Sequence, residues 1–208
     1  METREEFFEK KARLRQIQEI LGAEETIDEN LSLAPIHDLL EKAVELEKSG
    51  EGIPKPGETG EITADALENE KGKSIWSLVV KMTISEKVQL AFKGDKTVRM
   101  ILIRERNRLV AASTARNPRM TENEVESIAG MRNVEEEVLR IIGHRRDWTS
   151  KYPIALALVK NPKAPIGVVL PLINRLTLRD LKGLKDDKGV AEAVRQNARR
   201  LYKTRQKI

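Results

Sequence analysis

The side chains able to carry chemistry are few in this sequence, and they are scattered. Cysteine does not occur, which removes disulfides, thiolate nucleophiles and cysteine zinc sites. Histidine occurs twice, as His37 at the start of one expected helix and His144 at the end of another. Neither has a second His or an acidic ligand at metal spacing beside it, so a solvated side chain and a charge partner for a helix end are the readings these positions favour. Glu135-Glu136-Glu137 stands where acids complement a helix N-terminus. Asp186-Asp187 reads as a turn before the last helix. Together with Asp180 these carboxylates still lack the nucleophile and oriented base that a hydrolase needs. The glycines between Gly50 and Gly60 form no phosphate loop, because no Gly-Lys-Ser/Thr follows and no strand precedes them. The expectation is a chain with no catalytic residue, no cofactor and no metal.

Binding chemistry is better represented. Lys and Arg number 38 against 33 Asp and Glu, and splitting the chain before Ile75 separates an N-terminal part of net −9 from a remainder of net +14. Parts of opposite sign attract each other or different partners. Within the basic part Arg99, Arg104, Arg106 and Arg108 form one group, and Arg140, Arg145, Arg146 and Lys151 a second. Arg195, Arg199 and Arg200, continued by Lys203, Arg205 and Lys207, form a third. If structural units stack in register these groups line up as a positive stripe suited to phosphates or to an acidic protein segment. Trp148 and Tyr152 adjoin the second group, either as a contact spot or as packing between helices. The aromatic content of 3% leaves few platforms for stacking single-stranded bases. An acidic protein partner is therefore the favoured ligand, with duplex DNA or structured RNA as the alternative.

Positioning these residues falls to helices. Residues 5–21 carry Phe7, Leu14, Ile17 and Leu21 at near-heptad spacing, closed by Gly22, and Pro35 to Lys48 repeats the pattern through Ile36, Leu39, Leu40, Ala43 and Val44. Gly50 to Gly57 is dense in breakers. This gives an acidic N-terminal helical arm over 1–49, a flexible linker over 50–74 and a basic helical-repeat domain over 75–208. In that domain Thr83-Ile84-Ser85-Glu86 and Thr121-Glu122-Asn123-Glu124 fit the capping box, and Asn133-Val134-Glu135-Glu136 is a close variant. Asp95, Thr177 and Ser150, the last followed by Pro153, are weaker starts, while Gly94 and Gly143 sit where helices could end. No segment alternates like a strand, so the class is all-α. The start Met1-Glu2-Thr3-Arg4 does not read as a secretory signal. The longest apolar runs, Ile154 to Val159 and Val168 to Ile173, fall far short of the roughly 20 residues a membrane helix needs. The expected setting is the cytoplasm.

The chain also repeats itself. Ala115-Arg116-Asn117-Pro118-Arg119-Met120-Thr121 matches Val159-Lys160-Asn161-Pro162-Lys163-Ala164-Pro165 in residue character, 44 residues on. Each copy follows an Ala-containing apolar segment (Leu109 to Thr114; Ile154 to Leu158) and precedes an aliphatic helix. Proline disfavours helical geometry in the residue before it, so Asn-Pro stops one helix and lets the next begin at an angle. Three units starting near Thr83, Thr121 and Pro165, each of a first helix, a second and a shorter third, predict a short α-solenoid with about 40 residues per unit, the range of HEAT and armadillo repeats. The Asn-Pro punctuation resembles HEAT-like and leucine-rich-variant repeats of bacterial proteins. More narrowly, three stretches are similar to an uncharacterised bacterial family. They are Ile101-Leu102-Ile103-Arg104 with Asn107-Arg108-Leu109-Val110, Glu136-Glu137-Val138-Leu139-Arg140-Ile141-Ile142, and Ala157-Leu158-Val159-Lys160-Asn161-Pro162-Lys163. The resemblance covers about residues 75–202 and implies an all-helical fold and a bacterial cytosolic origin, with no activity attached. The resulting expectation is a scaffold or interaction module.

Overall fold

The computed structural model describes residues 37–49 and 70–206, which form twelve α-helices and no strand. The helix expected over 5–21 and most of the expected linker lie outside the described residues. Contacts divide the chain into two compact units, Met1–Pro118 and Arg119–Ile208.

The first unit holds α1 (His37–Ser49), α2 (Glu70–Val79), α3 (Ile84–Lys93), α4 (Lys96–Leu102) and α5 (Arg108–Ala115). Helix α3 is its centre, and local chemistry sets both of its ends. The capping box at Thr83 is closed in both directions: the Thr83 hydroxyl accepts from the Glu86 amide, and the Glu86 carboxylate accepts from the Thr83 amide at 2.7 Å. At the other end the Gly94 amide donates to Leu90 O at 2.8 Å. A Cβ on Gly94 would stand 2.4 Å from Cγ1 of Val98, so only glycine lets the chain turn this closely into α4. Asp95 then restarts it, its carboxylate accepting from the Val98 amide at 2.9 Å. Asn107, which the sequence pattern did not single out, caps α5 through the amides of Leu109 and Val110.

Burial follows the aliphatic stripes. Ala43 of α1, Ile75 and Val79 of α2, Val88 and Leu90 of α3, Leu102 of α4 and Val110 of α5 share one core, each large side chain contributing about 1.5–3 kcal/mol by leaving water. Helix α1 packs against α3 and α5, so residues 37–49 of the acidic arm belong to this core. Helix α2 begins inside the segment expected as a linker.

The second unit holds α6 (Glu122–Gly130), α7 (Glu136–His144), the single turn α8 (Arg146–Thr149), α9 (Tyr152–Lys160), α10 (Ile166–Ile173), α11 (Leu178–Leu184) and α12 (Glu192–Arg205). Thr121 closes a second capping box with Glu124, and Thr177 caps α11 through the Asp180 amide. Two expected starts are corrected. Asn133 caps nothing, since α7 begins after Glu135, whose side chain makes no cap hydrogen bond. Ser150 ends α8 rather than starting α9, its hydroxyl donating to Asp147 O while Lys151 occupies the N-cap ahead of Pro153. Gly143 lies one residue inside α7, where a Cβ would meet Cγ1 of Val168 at 2.0 Å. Here glycine permits close approach of α7 and α10 instead of stopping the helix. Helix α6 packs against α9, α9 against α10, and both α10 and α11 against α12. The last of these is the longest described helix, not a short third element.

One arrangement occurs twice, and a related one closes the last helix. Buried Asn117, just past α5, donates through Nδ2 to Ala91 O and Phe92 O at 2.7 and 3.0 Å, at the C-terminal end of α3. Buried Asn161, just past α9, donates to Ala129 O and Met131 O at 2.8 and 2.7 Å, at the end of α6. Arg205, at the end of α12, donates to Leu176 O at 2.6 Å and to Asn174 O, just past α10. In the first two cases a side chain just past a later helix satisfies carbonyls that an earlier helix leaves without an internal partner; in the third, Arg205 ties the cap of α10 to the turn that follows it.

Candidate interaction surface

Whether an arginine can meet a ligand depends on whether the fold already uses it. A guanidinium carries five donors in a planar fork, and helix C-termini present unpaired carbonyls that match it. Arg99 is 5% exposed and donates to Gly94 O at 3.0 Å. Arg104 is 7% exposed and donates to Met100 O at 2.8 Å. These two residues, expected on a positive surface, are withdrawn into the first unit, because the turns after α3 and α4 need donors there. Their neighbours Arg106 and Arg108 are exposed. The same use recurs in the second unit. Arg175 reaches Thr149 O and Ser150 O at 2.6 and 2.9 Å, Arg199 reaches Lys185 O at 2.9 Å, and Arg205 makes the closure described above.

The group at Arg140 to Lys151 separates into different roles. Arg140, in α7, pairs with Glu136 at 2.7 Å and Glu137 at 3.7 Å, so the triple-Glu segment serves the start of its own helix. Arg145 lies over the ring of Trp148, 3.8 Å from its centroid. Trp148 itself is 6% exposed, a packed side chain under a cation and not an open stacking platform. Lys151 pairs with Glu122 at 2.8 Å, joining the starts of α9 and α6. Tyr152, half-buried, donates to the Asp180 carboxylate and accepts from the Thr177 amide at 3.1 Å. The Tyr152 hydroxyl, reinforced by that of Thr177 and by Lys160 and Arg179, holds the Asp180 carboxyl below its ordinary value against the opposing effect of burial. In the last group Arg195 pairs with Glu192, while Arg200 and Lys203 are exposed on α12. Lys207 lies outside the described residues. Asp186 faces Lys185 and Arg199 at 3.4 and 3.9 Å, and Asp187 accepts from the Gly189 amide at 2.7 Å, the turn expected there.

Arg140 and Arg146 come together on a groove of about 600 Å³ in the second unit, with His144 beside them and Val168, Pro171 and Leu172 as apolar lining. Nδ1 of His144 stands 2.8 Å from Arg140 O. Beside a carbonyl that nitrogen must be the donor. The sequence pattern places an aliphatic helix after Asn161-Pro162, where α10 stands, but does not mark that helix as part of a binding groove. The signal it carried was a helix without a single polar residue. No helix among the described residues is long and apolar enough to cross a membrane, and no group of three His, Cys, Asp or Glu among them is placed to hold a metal ion. Comparison of the chain with protein-family models, with curated proteins and with solved structures finds no match.

Proposed function

We propose that the chain is a short α-solenoid of three HEAT- or armadillo-like units, acting in the bacterial cytosol as a non-enzymatic module that binds an acidic protein partner. The observation that carries the solenoid is the recurrent closure of Asn117 onto α3 and Asn161 onto α6, with Arg205 on the cap residue Asn174 of α10 as a related contact. In a stacked repeat each unit must satisfy the end of its first helix before the next unit is laid on it, and equivalent donors at equivalent places do this. An all-helical fold by itself carries no activity, so the binding half of the reading rests on side chains. Arg106, Arg146, Arg200 and Lys203 are exposed cations, in contrast to the arginines that tie off helix ends.

Affinity capture from cells on the full chain, with and without nuclease, tests this. The expected result is retention of acidic proteins that survives nuclease and is eluted as salt rises above about 0.1 M, where charges act over roughly 10 Å. Retention that nuclease abolishes, with an affinity falling steeply in salt as phosphates recover their counterions, would favour the nucleic-acid reading.

A further inference from the structure

Helix α10 is apolar all round: Ile166, Gly167, Val168, Val169, Leu170, Pro171, Leu172 and Ile173. Such a helix is ordinarily enclosed on every side. Here only Val169, Leu172 and Ile173 are buried, while Ile166, Gly167 and Pro171 are exposed. Gly167 and Pro171 stand on the same groove as Arg140, His144 and Arg146, and no carboxylate lines it. Arg146 is exposed and makes no ion pair among the described residues. Arg140 is exposed, with its closer partner Glu136 exposed and Glu137 half-buried at 3.7 Å; a pair on the surface is worth little in water and is readily exchanged for another carboxylate. The groove is therefore an uncovered aliphatic floor under a cationic rim.

We propose that this groove between α7 and α10 is the docking site for an acidic peptide segment, one that places large apolar side chains against Val168 and Pro171 while its carboxylates meet Arg140 and Arg146. The assignment rests on the reading of the chain as a binder of acidic protein and adds the place and the chemistry of contact. Neither half of the occupant suffices alone. A purely acidic chain would leave the α10 face in water, and a purely apolar one would leave the cations unmatched.

The test uses the full chain and a short labelled peptide of glutamate interleaved with leucine and phenylalanine, followed by fluorescence anisotropy. Two control peptides replace either its glutamates by lysine or its apolar residues by further glutamate. A Cβ on Gly167 meets nothing within 4 Å, so Gly167→Phe starts from open space, adds bulk at the groove and also favours the helix. Arg146→Glu reverses a rim charge at an exposed position. Circular dichroism and melting confirm that both variants fold. The mixed peptide is expected to bind, more weakly as salt rises, and each variant is expected to lower its affinity about tenfold. Equal binding of the all-glutamate peptide, or unchanged binding by Gly167→Phe, overturns the groove. Mixed-peptide binding that both variants leave untouched moves acidic recognition elsewhere on the chain and overturns the groove alone. No binding by the native chain at about 0.1 M salt overturns both this site and the wider reading.

Discussion

The two units treat positive charge in different ways. In Met1–Pro118, Lys87 is 4% exposed and pairs with Glu105 at 2.7 Å, itself 8% exposed, and Arg99 and Arg104 are turned inward onto carbonyls. In Arg119–Ile208, Arg140, Arg146 and Arg200 stay outside, and the arginines with structural work tie off helix ends near the surface. The difference teaches that a count of basic residues is not a count of basic surface. The first unit closes its helices with short turns and internal cations. The second leaves cations beside an apolar helix that nothing among the described residues fully covers.

The sharpest way to break this contrast is Lys87→Met. Removing one member of a buried pair strands the other, so Glu105 should cost the fold about 3–5 kcal/mol, read by chemical denaturation. Lys87→Met with Glu105→Leu should recover most of that. Arg140→Ala, at an exposed pair in the second unit, should change stability by less than about 1 kcal/mol. Comparable losses from Lys87→Met and Arg140→Ala would erase the distinction.

Smaller in size, and aimed at what the units share, are Asn117→Ala and Asn161→Ala. Each removes two hydrogen bonds to helix-end carbonyls, and a buried polar group left unsatisfied costs about 1–3 kcal/mol. Similar destabilisation of both variants is expected from denaturation midpoints. A loss in one and none in the other would mean that the closures are not equivalent.

Smallest is Tyr152→Phe, which removes the donor that most depresses the Asp180 pKa. A carboxylate with a lowered folded pKa contributes stability above its unfolded pKa and loses it as pH falls through the folded value. Native protein should therefore exceed Tyr152→Phe in melting temperature near neutrality, and the gap should narrow in acid below the ordinary carboxylate range. A gap independent of pH would assign the effect to packing alone.

Local grammar was readable where a signal and its partner lie within one turn. Thr83, Asp95, Thr121 and Thr177 cap helices as their spacing indicates, and Gly94 ends one. Asn133 and Ser150 misled because the same residue types also serve turns and helix ends, and a cap forms only if the backbone there is extended at the right residue. The triple-Glu segment and the Asp187 turn were equally legible, since their chemistry is local, whereas the choice between contact and packing at Trp148 was left to the structure, which buries it.

By itself, then, the order of residues determined that this chain is helical, where most helices begin, and that Asn-Pro marks two corresponding corners. Those properties depend on backbone hydrogen bonding and aliphatic periodicity over a few residues. Tertiary structure alone decided which arginines are inside, that Asn117 and Asn161 reach carbonyls some 26 to 32 residues away, and that α10 keeps an uncovered apolar face beside Arg140 and Arg146. Burial and long-range donor matching are set by which helices pack together, and no window of sequence contains that information.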